Sequence, residues 1–203
     1  MRVCILDYGS GNVRSVFNMV KTLVDDVSVS NDPLTIREAT HILLPGVGAF
    51  AAAMEKIRRS IDLPALQTEV LEKHKPFLGI CVGLQVLAST GYEFGEHPGL
   101  GWVPGVVAKL EPGGLPLPHI GWNNITARRP SPLLARFDAQ PDFYFVHSYA
   151  FRPVDESHCV ATTQYGTEFV SAVSVGNIHG VQFHPEKSQK AGIQLIRNFF
   201  ALS

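Results

Sequence analysis

The first ninety residues alternate short, continuously apolar runs with amphipathic ones, and this alternation restricts the fold more than any other feature of the chain. VCILDY (3–8) stops at the glycine loop GSGN and is followed by VRSVFNMVKTLV, whose apolar residues recur at helical spacing. The strand-like runs VSVS (27–30), HILLPG (41–46) and PFLGI (76–80) come next, with the helical stretches AFAAAMEKI and LPALQTEVLEKH between the last two. GLQVLAST then reads as a helix that closes near Gly91. Strands that are apolar along their whole length are buried on both faces. The pattern therefore predicts an α/β fold, with an open, mostly parallel central sheet and helices on both faces. After Gly91 the rhythm changes. VVAKL, GWNNITA, FYFVHSYAF, HCVATTQY, FVSAVSVG and NIHGVQFH read as strands between turns, with SPLLARF and AGIQLIRNFFAL as helices. These runs predict antiparallel strands added to the sheet. With no linker or repeat, one domain over 1–203 is expected.

Lys and Arg total 17 against 18 Asp and Glu, a formal charge of −1, and neither Arg58-Arg59 nor Arg128-Arg129 is long enough to be a basic tract. Nucleic acid and anionic membrane are therefore not expected partners. No apolar run approaches the ~18 residues of a membrane span. The short apolar stretch of MRVCILDYG reads as a first strand rather than a secretion signal. Three cysteines without a CxxC spacing suggest neither a disulfide framework nor zinc. A cytoplasmic protein with no metal or cofactor is expected.

In open α/β sheets, chemistry gathers at the carboxyl ends of strands, where loops feed into helices. Cys81 falls there, at the end of PFLGI and between Gly79 and Gly83. G-x-C-x-G is the thiol counterpart of the G-x-S-x-G elbow, whose small flanking residues relieve crowding around a strained turn. The helix starting near Val82 directs its first amides toward the sulfur and favours its charged form. A packed core cysteine is the plain alternative, and Cys4 and Cys159 are assigned to packing.

A cysteine nucleophile needs a base, and the base needs an orienting group. GVQFHPEKS (180–188) offers His184 and Glu186 at the end of another strand. On an extended backbone, residues two apart project to the same side, and Pro185 favours that conformation at His184. LLPGVGAF (43–50) supplies a third part: backbone amides near Val47, together with that of Val82, form an oxyanion hole. A preorganised donor of this kind is worth about 3 kcal/mol of transition-state stabilisation.

With these segments in place, the chain resembles the class-I (triad-type) glutamine amidotransferases over essentially its whole length. GICVGLQ resembles their nucleophile elbow, PGVGAF their oxyanion strand and FHPEKS their His-Glu segment. DYGSGNVRSV (7–16), HIGWNN (119–124) and YFVHSY (144–149) single out the branch that serves histidine biosynthesis. The resemblance implies that Cys81 attacks the side-chain amide of L-glutamine, with His184 relaying protons and Glu186 orienting it. Ammonia leaves, and water hydrolyses a γ-glutamyl thioester to glutamate. It also implies that Gly46, Gln85, Ser148 and Tyr149 bind substrate, and that Gly48 belongs to the oxyanion segment. Ammonia then passes to a (β/α)8-barrel cyclase partner that makes imidazole glycerol phosphate and the aminoimidazole carboxamide ribotide. Asn12, Trp122 and Lys187 lie at that partner's interface, where an indole is a good anchor.

The stretch GYEFGEHPGLG (91–101) departs from the family's usual segment and is read as a surface connection. The glycines of PGVG permit a peptide flip near Val47, so completion of the oxyanion hole is expected to follow partner and ligand binding. Two other readings use the same residues. One is a glutaminase for a different synthase, or a γ-glutamyl peptidase acting alone. The other is a silent scaffold, against which the intact Cys81, His184 and Glu186 argue.

Overall fold

The computed structural model describes residues 1–137 and 140–202. Its amino-terminal part runs β1 (Arg2–Ile5), α1 (Val13–Lys21), β2 (Asp26–Val29), α2 (Pro33–Glu38), β3 (His41–Gly46), α3 (Phe50–Ser60), α4 (Leu63–Gln67), β4 (Phe77–Cys81) and α5 (Val82–Gln85). Every residue of β3 and β4 is buried, so HILLPG and FLGIC show no polar alternation. The side chains of Asp32 and Asp62 accept from the Thr35 and Ala65 amides, and Pro33 and Pro64 occupy the first turns of α2 and α4.

The remainder contributes β5 (Thr90–Gly91), β6 (His97–Pro98), β7 (Gly105–Lys109), β8 (His119–Asn124), β9 (Thr126–Ala127), β10 (Asp142–His147), β11 (Tyr149–Pro153), β12 (Cys159–Tyr165), β13 (Thr167–Val175), β14 (Ile178–Val181) and α6 (Gln189–Phe200). Among the described residues the main sheet has eight strands in the order β2-β1-β3-β4-β14-β13-β12-β9. The first five of that order are parallel, and β13, β12 and β9 extend it antiparallel. The chain leaves β1 for β2, then returns past β1 to β3, so its winding reverses. Right-handed crossovers therefore set α1 on one face and α2, α3 and α4 on the other, where α2 packs on α4. β8 and β10 form a separate ribbon, and β11-β7-β5-β6 a small mixed sheet. No helix among the described residues is long and apolar enough to cross a membrane.

Departures from the sequence pattern have tertiary causes. The 63–74 stretch is not one helix. After α4 the chain widens into a π turn, Thr68–Glu72, in which Glu69 is buried and meets the Lys75 ammonium at 2.9 Å. The helix after Cys81 stops at Gln85, not near Gly91. Amides of Leu100, Val103 and Gly101 claim the carbonyls of Val86, Leu87 and Ala88. SPLLARF holds only a 3-10 turn, Pro132–Leu134, because the Asn198 amide takes the Leu133 and Ala135 carbonyls. FYFVHSYAF is two strands that part at Ser148, one facing β8 and the other β7. The sequence reading has no counterpart for α2.

Candidate active site

The loops after β1, β3, β4 and β14 converge at the carboxyl ends of adjacent parallel strands, beside the point where the winding reverses. Ligands of open α/β sheets bind in that crevice. Cys81 closes β4 with φ 56° and ψ −110°, a conformation that strains a residue with a Cβ. The flanking glycines answer a steric demand. A Cβ on Gly83 would lie 1.8 Å from the Leu44 carbonyl oxygen, and one on Gly79 would lie 2.3 Å from that of Gly83.

His184 is fixed from β10. Its N–H donates to the Tyr144 carbonyl at 2.9 Å, and the Ser188 hydroxyl donates to the His184 carbonyl at 2.6 Å. The Tyr144 N–H in turn donates to the Ser188 hydroxyl at 3.0 Å. The His184 Nδ1–H donates to Glu186 Oε1 at 2.8 Å, and the ring lines the same cavity as Cys81. Glu186 does not reach the ring along an extended strand, as residue spacing suggests. A 3-10 turn, Pro185–Lys187, begins after His184 and curls the carboxylate back.

The Glu186 side chain has no exposed surface. Its Oε1 also accepts from Asn12 Nδ2 at 3.1 Å, and Asn12 Oδ1 accepts from the Ser15 hydroxyl at 2.9 Å. Oε2 has no hydrogen-bond partner among the described residues, so a single oxygen carries the anchorage. Burial works against a charge on His184, but the hydrogen bonds and negative charges of Cys81 and Glu186 outweigh it and raise the ring's pKa to about 10.

A cavity of about 160 Å³ opens beside the sulfur. Cys81, Val82 and Gln85 form one wall, and 146–149 form another, including Ser148 and Tyr149. Val47, Gly48, His184 and Lys187 complete its rim, and Gly48 takes a φ of +92° that favours glycine. Gly46, expected as a substrate contact, is not in the lining. It pairs in register with Cys81 between β3 and β4. A Cβ there would meet the Tyr8 hydroxyl at 2.4 Å. Gln85 Nε2 donates to the Tyr149 carbonyl at 2.9 Å and to Gln182 Oε1 at 3.1 Å. Trp122 is 48% exposed and meets the Tyr144 ring edge-on at 6.1 Å, while the Lys187 ammonium stands 5.6 Å from the same ring's centre. These two predicted interface residues thus share one aromatic platform, whereas Asn12 bonds the buried carboxylate.

Two residues at the site escape the sequence reading. Glu93 belongs to GYEFGEHPGLG, which is more than a surface connection. Glu93 lines the cavity, and its carboxylate accepts from the Phe50 N–H at 2.8 Å at the start of α3. Nothing local in the sequence marks it. Gln182 is fully buried and its Nε2 donates to Cys81 Sγ at 3.7 Å. Its signal was available, as a polar residue inside the otherwise apolar run GVQF. Among the described residues, no three His, Cys, Asp or Glu side chains are grouped to hold a metal ion.

A family model for class-I glutamine amidotransferases matches residues 4–202. The chain is 48% identical to the imidazole glycerol phosphate synthase subunit HisH of Salinibacter ruber, covering 98% of this chain and 93% of that one. It is 47% identical to that of Zymomonas mobilis (97% and 94% covered) and 46% identical to that of Aquifex aeolicus (98% and 96% covered). Among solved structures, a glutamine amidotransferase superposes with a TM-score of 0.76 at 17% identity, covering 99% of this chain and 98% of that one. PurLQS from Thermotoga maritima superposes with 0.73 at 18% identity (98% and 97% covered), and both likenesses concern the fold alone. The chain belongs to the class-I glutamine amidotransferase family, and within it to the HisH subunits of imidazole glycerol phosphate synthase.

Proposed function

We propose that this protein, as one domain over 1–203, hydrolyses L-glutamine through Cys81, His184 and Glu186. It delivers the ammonia to a (β/α)8-barrel cyclase that makes imidazole glycerol phosphate and the aminoimidazole carboxamide ribotide. The observation that carries the reading is His184, hydrogen-bonded to Glu186 at 2.8 Å and lining with Cys81 one cavity of about 160 Å³.

As His184 takes the thiol proton, the Cys81 sulfur adds to the amide carbon, a C–S bond forms, and the carbonyl electrons move onto oxygen within reach of the Val47, Gly48 and Val82 amides. The imidazolium so formed gives its proton to the amide nitrogen as the carbonyl re-forms. The C–N bond breaks and ammonia leaves. The neutral ring then takes a proton from water as it adds to the thioester, and C–S cleavage, with that proton passing to sulfur, releases glutamate and restores the thiol. Glu186 keeps its charge and stabilises the imidazolium. Ser148 and Tyr149 hold the substrate's α-substituents, Gln85 braces that edge, and Glu93 offers a carboxylate for the ammonium group. Trp122, Lys187 and the Asn12 loop form the docking rim, with exposed Val47 and Ile120 adding apolar area. Support for a partner comes from the word "subunit" in the relatives' names. Three unpaired thiols fit a cytoplasmic location.

Labelling with 6-diazo-5-oxonorleucine followed by peptide mapping tests the nucleophile. The label is expected on Cys81, and Cys81→Ser is expected to lower ammonia release about 10⁴-fold or more. A label elsewhere refutes the triad. Turnover measured alone and with cyclase plus its ligand tests the oxyanion loop, and equal rates remove partner control.

A further inference from the structure

His119 and His147 are both buried and are cross-strand neighbours in the β8–β10 ribbon; His147 borders the cavity, but neither ring has a part in the reaction just derived. Their hydrogen bonds admit one polarity. His147 Nδ1 lies 2.9 Å from the Tyr149 carbonyl, which only accepts, so Nδ1 carries the proton. Nε2 of that neutral ring then accepts, and its neighbour at 3.1 Å, His119 Nδ1, donates. His119 Nε2 accepts in turn from Asn123 Nδ2 at 3.3 Å, and that amide is oriented by its 3.0 Å bond to the Gln164 carbonyl. The His119 ring is stacked on Tyr165 and Phe145, with centroids 4.0 and 4.9 Å away, which fixes its plane.

The same carbonyl joins this half of the chain to the nucleophile. Tyr149 O receives His147 Nδ1–H and Gln85 Nε2–H, Gln85 also donates to Gln182, and Gln182 donates to the Cys81 sulfur. The line ends on the sulfur, which itself faces the Val146 carbonyl at 3.9 Å.

We propose that His119 and His147 are positioning residues for the glutaminase reaction, holding the Tyr149 carbonyl and, through Gln85, the Gln182 amide against Cys81. The inference rests on the glutaminase reading. A purely structural pair would fill the core and satisfy its own polar atoms, with no effect on substrate affinity once folded. A positioning pair sets the edge at Ser148 and Tyr149 that borders the cavity. Losing its donor lets that edge shift, and geometry of this kind is felt as weaker substrate binding and slower attack.

The experiment uses the full chain in complex with its cyclase partner. His147→Leu removes the bond to the Tyr149 carbonyl and the acceptor for His119, and is expected to raise the KM for glutamine about tenfold and to slow alkylation of Cys81 by 6-diazo-5-oxonorleucine several-fold. His147→Asn keeps a donor at the Nδ1 position and is expected to recover most of both. ¹⁵N NMR of the wild-type chain is expected to find the Nδ1–H tautomer at both His119 and His147. An Nε2–H tautomer at either ring, or a folded His147→Leu with wild-type KM and alkylation rate, overturns the proposal. If His147→Leu does not fold, the Asn variant and the wild-type tautomers still decide it. A wild-type chain that never reacts at Cys81 sinks the glutaminase reading instead, and the tautomers test the chain separately.

Discussion

Glu186 is anchored through one oxygen that receives two donors, the His184 ring and the Asn12 amide, while its second oxygen is buried and unpartnered among the described residues. A hydrogen bond to a buried charge contributes about 1.5–3 kcal/mol, so Asn12→Ala is expected to lower kcat roughly 10- to 100-fold. Asn12 does not line the cavity, so KM for glutamine should hold steady. Steady-state kinetics of the complex check both, and a shifted KM with an unchanged kcat would contradict the assignment. Cys81, His184 and Glu186 were legible because each announces itself locally, by flanking glycines or by a neighbour two positions away. Asn12 and Glu186 are 174 residues apart, and no local pattern encodes such a pair. Glu93 was hidden for the same reason, since its partner amide lies 43 positions away.

Among the elements, β3 and β4 were the most legible, since burial on both faces leaves a continuous apolar run. Their helical neighbours were less so. The π turn after α4 follows from one buried carboxylate, Glu69, which ion-pairs with Lys73 and Lys75. Burial opposes its charge, but the two ammonium groups hold its pKa below the ordinary value. Lys75 also donates to the Ile36 and Arg37 carbonyls at 2.8 Å each, tying the end of α2 to the loop before β4. This tie is at the amino end of β4, opposite the site. Lys75→Met is expected to destabilise the fold by about 2 kcal/mol, less than breaking a fully buried pair because Lys73 remains. Urea unfolding measures it. Alkylation of Cys81 in the folded variant should proceed at the wild-type rate, and a large change there would place the tie in the site after all.

At the scale of the whole molecule, burial holds several imidazoles neutral. The pKa values of His119 and His179 fall to about 4 and that of His147 to about 3, from an ordinary 6.5. These folded values lie below the unfolded one, so the unfolded chain gains protons first as pH drops through 6.5, and stability declines from there toward pH 4. His184 has the opposite sign: its contribution is complete below about 6.5 and is lost as pH rises toward 10. Urea midpoints are expected to be lower at pH 5 than at pH 7, and an unchanged midpoint would contradict the burial argument. The broad α/β order of layers was legible from the alternation in the first ninety residues. The insertion of β14 beside β4 was not, because it joins segments a hundred positions apart.

That insertion has a consequence for biosynthesis. A growing polypeptide that has just emerged with Cys81 lacks the neighbouring strand that delivers both imidazole and carboxylate, so its thiol is unarmed on the ribosome. On the proposed triad, reactivity switches on only once His184 and Glu186, which follow β14, have been added, and products that stop short of them remain chemically mute rather than wasting amide nitrogen.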